Sequence, residues 1–121
     1  MKILAFGNEF VPEDSLAKEL LAGVPGAVMC DSPEDVLKYS DLEEGFVIVD
    51  VVAGIDTVRE VSVAELKKPS SSTVHDFDLS FYLQVLDKAG KLRDIKIIGI
   101  PQSGDKKKIK NDLLKLLSGT F

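Results

Sequence analysis

Phe46-Val47-Ile48-Val49-Asp50-Val51-Val52 contains the most apolar run of the chain. Together with Ile3-Leu4-Ala5-Phe6 it has the pattern of a strand buried on both faces, which belongs to a parallel sheet covered by helices rather than to a sheet with one face in water. Asp50 stops the run, which resumes only as Val51-Val52-Ala53-Gly54. The carboxylate therefore falls near the carboxyl end of a central strand.

On the N-terminal side, Ile3 to Phe6 ends in Gly7-Asn8, and Pro12, Glu13 and Asp14 then open a helix with a fixed φ and first-turn acids that suit the macrodipole. Leu16, Ala17, Leu20 and Leu21 form its inward stripe, and Gly23 and Pro25 end it. Ala27-Val28-Met29-Cys30 reads as a second strand. Ser32 caps a short helix that starts at Pro33, with Glu34 and Asp35 in its first turn and Val36 and Leu37 facing inward.

On the C-terminal side, Thr57 to Val61 alternates as a more exposed strand, and Lys67 to Ser72 reads as a mobile polar loop. Leu79, Tyr82, Leu83 and Leu86 follow helical spacing. Ile95, Ile97, Ile98 and Ile100 make a buried strand before Pro101, and Ile109, Leu113 and Leu116 stripe a closing helix. This alternation predicts a three-layer α/β/α fold around a mostly parallel, twisted sheet of about five strands. A single domain over residues 1–121 is expected, long enough to bury roughly two thirds of the surface its unfolded chain exposes.

Composition narrows the function classes. Hydrophobic residues at 45% and charged residues at 29% are those of a chain that folds around one core. A net charge of −5 argues against nucleic acid and anionic membranes as partners, and the basic tract Lys106, Lys107, Lys108 and Lys110 reads as a solvated helix face. Cys30 is the one cysteine, so neither an intramolecular disulfide nor a thiolate zinc cluster forms, and it reads as an inert core residue. Ile3 to Phe6 is too short for a signal segment or a membrane span, so a cytoplasmic location is expected.

Ligands of such sheets bind outside the carboxyl ends of the strands. Three loops qualify there, Gly7 to Asp14, Asp50 to Asp56 and Ser70 to Asp76, and they carry Asp14, Asp50 and the one histidine, His75. Two carboxylates and an imidazole ligate a divalent transition metal and leave positions open. Each also has a plain structural reading, as a helix-start acid, a strand-end turn acid and a surface histidine respectively. No GxSxG, P-loop, GxGxxG or CxxC motif occurs, so neither a local nucleophile nor a tightly bound organic cofactor is indicated.

The order of these pieces resembles the hydrogenase maturation endopeptidase family over nearly the whole chain. Phe6-Gly7-Asn8-Glu9-Phe10-Val11-Pro12-Glu13-Asp14 is similar to that family's strand, Gly-Asn turn and acid pair. Val47 to Val52 is similar to its strand ending in Asp, and Asp56-Thr57-Val58-Arg59-Glu60-Val61 with Ser71-Ser72-Thr73-Val74-His75-Asp76 to its later strand and serine-containing loop with a histidine. The resemblance implies an aspartic-type endopeptidase that removes the C-terminal extension of a hydrogenase large-subunit precursor after its nickel centre is loaded. Asp14, Asp50 and His75 would be both the catalytic residues and the ligands that touch the nickel presented by the precursor, with Glu13 and Asp31 in support.

Two alternatives stay open on the sequence. One is a response-regulator receiver domain phosphorylated on Asp50, although Gly7-Asn8 follows the first strand and Pro101 the last, where receivers place acids and a lysine. The other is a family member that grips a metallated precursor without cutting it. Its motive is that Asp31-Ser32-Pro33 stands where the family has a Gly-Gly pair, and that Ser15-Leu16-Ala17 lacks the glycine expected after the acid pair.

Overall fold

The structure, a computed structural model, describes residues 2–7, 15–30, 35–39, 46–52, 54–62, 83, 88 and 96–120. In chain order these form β1 (Lys2–Ala5), α1 (Leu16–Leu21), β2 (Ala27–Met29), α2 (Asp35–Tyr39), β3 (Phe46–Val51), β4 (Arg59–Glu60), β5 (Lys96–Ile100) and α3 (Lys106–Thr120). Leu83 and Lys88 are also helical. The strands make one five-stranded sheet in the order β2-β1-β3-β5-β4, parallel except for β4, which runs antiparallel to β5.

The side-chain period of two along each strand divides the core into two layers. Ile3, Ala5, Val47, Val49, Ile98 and Ile100 face one side, where α1 and α3 cover them; Leu4, Phe6, Ile48 and Ile97 face the other, with Val36 of α2 and Leu83. The helices fall on opposite faces because β1 to β2 steps one way along the sheet and β2 to β3 steps back past β1. A right-handed crossover then reverses face. The architecture is thus α/β/α, as the alternation of apolar runs implies.

Most elements match the apolar runs, but α1 begins at Leu16, with Ser15 as its N-cap and Glu19 as the acid of its first turn, and not at Pro12 as the sequence predicts. Leu16, Ala17, Leu20 and Leu21 are buried on α1, and Val36 is buried on α2; the side chain of Leu37 lies outside the described set. On α3 the stripe is Ile109, Leu113 and Leu117 rather than one ending at Leu116, which is half-buried. Residues four apart stay nearest one line on the helix, and Leu116 sits on the flank of the line through Leu113. The exposed strand predicted over Thr57 to Val61 is ordered as strand only at Arg59–Glu60. The polar loop Lys67 to Ser72 and the helix positions Leu79, Tyr82 and Leu86 lie outside the described residues. Among the described residues, no helix is long and apolar enough to cross a membrane.

One glycine is required by packing. A Cβ on Gly99 of β5 would meet Val52 Cγ2 and Val61 Cγ1 at 2.9 Å and Ile55 Cδ1 at 3.2 Å. The segment between β3 and β4 therefore crosses directly over β5, and the bare backbone at Gly99 makes room for it. Valine side chains are stiff at χ1, so the clash has no cheap relief. Gly99→Ala should cost about 1–3 kcal/mol by overpacking. Urea unfolding should show a lower midpoint with an unchanged slope; an unchanged midpoint would mean that this crossing is loose.

Candidate functional site at the carboxyl edge of the sheet

Asp50 is the next-to-last residue of β3 and is 2% exposed, one of two buried charged or polar residues among those described, Lys18 being the other. Its Oδ1 accepts a hydrogen bond from the Val51 amide at 2.8 Å. That bond ties the carboxylate to its own strand and fixes the side chain at the sheet's carboxyl edge. β1 and β3 are also the strands where the chain's crossovers diverge, β1 leading towards β2 and β3 towards β5. In open α/β sheets this switch point is where the crevice for a ligand opens.

The register places a single row of residues across this edge. Gly99 pairs with Asp50 on one side and with Arg59 on the other. Ala5 pairs with both Val49 and Met29, so Phe6 continues beside Asp50 and Cys30 beside Phe6; the bonds Phe6 N to Val49 O and Cys30 N to Ala5 O, both 2.9 Å, extend the ladders that far. Cys30, Phe6, Asp50, Gly99 and Arg59 thus share one face. Asp50 stands between the fully buried Phe6 ring and the bare backbone of Gly99, over which Val52, Ile55 and Val61 pack. An apolar surround of this kind strengthens every electrostatic interaction the carboxylate makes.

Just beyond β1 the chain turns at Gly7, whose φ of 136° is one that side-chain-bearing residues rarely adopt. The turn that the sequence assigned to Gly7-Asn8 is therefore present at its first residue. Cys30 is fully buried, its Sγ 3.7 Å from the Val28 carbonyl oxygen, in keeping with a core role. At the start of α2, Asp35 and Lys38 form an ion pair at 2.9 Å. The hydrogen bond from Lys38 to Asp35, with the charge of Asp35 behind it, raises the lysine's pKa above its ordinary value.

Of the three predicted site residues, Asp50 is where the sequence put it. Asp14 and His75, with the supporting candidates Glu13 and Asp31, lie outside the described residues. Among the described residues, no group of three or more His, Cys, Asp or Glu side chains gathers as a metal site. Sequence reasoning missed the wall around Asp50. Phe6 was read only as the end of a strand and Gly99 not at all, since cross-strand register leaves no mark in a single strand's sequence.

No protein-family model matches the chain, and no curated protein does. Among solved structures, it is similar to a hydrogenase 3 maturation protease, with a TM-score of 0.59 and 18% identity over 98% of this chain and 87% of that one. It is also similar to an uncharacterized protein from Wolinella succinogenes, with a TM-score of 0.51 and 18% identity over 98% of this chain and 96% of that one. At this identity the likeness establishes a shared fold.

Asp50→Asn keeps an oxygen to accept the Val51 amide and should leave stability within about 1 kcal/mol of the wild type, whereas Asp50→Ala strands that buried donor at a cost of about 1–3 kcal/mol. Urea titrations of the two variants check this. Equal loss in both would show that the carboxylate's charge, not its acceptor oxygen, holds the strand end.

Proposed function

We propose that this chain is an endopeptidase that removes the C-terminal extension of a nickel-loaded hydrogenase large-subunit precursor. The observation that carries the reading is Asp50, buried at the end of β3 beside the β1/β3 switch point. It sits in a fold shared over nearly its whole length with a hydrogenase 3 maturation protease. The order of the motifs along the sequence and the shared fold both support this reading.

In this reading Asp14, Asp50 and His75 contact nickel that the precursor already carries. Imidazole and carboxylate suit that ion, and thiolates of the precursor complete its shell. The metal is substrate rather than resident cofactor. It reports that the large subunit is loaded, and it brings the scissile bond to the crevice. The bond is cut by water, and a carboxylate acts as general base or the ion polarises the carbonyl. A rigid strand end supports Asp50, so its oxygens are presented without the entropy of ordering a loop. A reducing cytoplasm fits the single buried cysteine.

Two observations count against the receiver reading: β4 runs antiparallel, and Pro101 rather than a lysine follows β5. The non-cutting reading is separated by assay. Incubated with this protein, the cognate precursor should lose its extension only when it carries nickel, as read by mass spectrometry. Asp14→Ala, Asp50→Asn and His75→Ala should each lower the rate by about a hundredfold or more, the scale on which loss of one catalytic group acts. Binding without cleavage would establish the non-cutting member; cleavage of nickel-free precursor at the same rate would refute the metal-reading mechanism.

A further inference from the structure

The last helix opens against its own dipole. Its first turn holds Lys106, Lys107 and Lys108 and no acid, and Lys110 follows. Cations at a helix N-terminus are unfavourable, because the unsatisfied amides there already carry partial positive charge. The compensation is limited. Asp105 accepts the Lys107 amide at 3.0 Å, and Lys106 pairs with Glu19 of α1 at 2.8 Å in the open. Lys107, Lys108 and Lys110 are exposed, as is every residue from Gln102 to Lys108.

The tract's position gives this cost a use. β5 ends at Ile100, on the same edge of the sheet as Asp50, and only residues 101–105 separate it from the tract. Four of the chain's fifteen Lys and Arg residues therefore cluster at the edge of the sheet that carries the candidate site, on the face that α1 and α3 cover, while the protein as a whole carries a net charge of −5. Local rules broken without a gain in stability are expected at functional places. A cationic rim on an anionic body orients an incoming partner by its negative end, and chiefly raises the rate of productive encounter.

We infer that Lys107, Lys108 and Lys110 form a docking surface for an acidic, extended segment of the protein on which the site acts. Only the occupant's identity rests on the function proposed above. An acidic peptide is favoured over nucleic acid because the net negative charge repels a long polyanion, whereas a short acidic segment meets the lysines alone. The rim acts on capture and not on the chemical step.

The test uses the full chain and the variant Lys107→Glu/Lys108→Glu/Lys110→Glu, with the triple Lys→Arg variant as a charge-conserving control. Reversal suits the helix dipole, so its melting temperature should equal or exceed that of the wild type, and any binding loss then reflects charge. Labelled octaglutamate, followed by fluorescence anisotropy at low ionic strength, should bind the wild type and the Arg variant and be lost on reversal. With the nickel-loaded precursor, reversal should raise KM about tenfold and leave kcat unchanged. Octaglutamate that fails to bind the wild type, or binds the reversed variant equally, overturns the docking surface. A short DNA duplex bound more tightly than octaglutamate through the same lysines overturns it too. Octaglutamate binding by these lysines without precursor cleavage upholds the docking surface and counts against the proposed function alone.

Discussion

A carboxylate withdrawn from water at the end of an apolar strand carries a desolvation cost of several kcal/mol unless its lone pairs are met. Asp50 bears that cost in the middle of the sheet, next to a buried phenylalanine and a glycine whose missing side chain is replaced by two valines. Its bond to the Val51 amide is part of what makes the arrangement tolerable. The surrounding packing encloses it: Phe6 continues β1 past its last paired residue, and the segment after β3 folds back over β5. Both close the wall around one charged group.

Two faces of the sheet divide the work. α1 and α3 cover one face with an ordinary aliphatic layer, in which Leu113 and Leu21 are fully buried. The other face holds Asp50 and its row, with α2 and Leu83 packed nearby. Both faces thus carry a buried apolar layer, and the acid stands at the carboxyl edge of the one that holds Phe6, Ile48 and Leu83. The ion pair between Lys106 and Glu19 joins α3 to α1 on the covered side.

Much of the fold was legible because strands buried on both faces read as continuous apolar runs, and helices read by a period near four. β1, β2, β3 and β5 all lie within a residue or two of the runs that announced them. The shift from Leu116 to Leu117 and the shortening of β4 show the limit of periodicity, since the choice between flanking leucines and the length of an edge strand depend on what packs against them. In the candidate site, Asp50 was legible from a polar residue ending an apolar strand. Its neighbours Phe6, Gly99 and Arg59 were not, because they are brought together by register between strands far apart in sequence.

On the proposed function, Asp50 belongs to one ion-reading cluster with Asp14 and His75. The most direct measurement is anomalous diffraction from a crystal of the full chain soaked in nickel or cadmium. A single strong peak is expected at the carboxyl edge of the sheet, within about 2–2.6 Å of a carboxylate oxygen of Asp50, one of Asp14 and a ring nitrogen of His75. A peak elsewhere with Asp50 unligated, or His75 at the opposite end of the sheet, would contradict it.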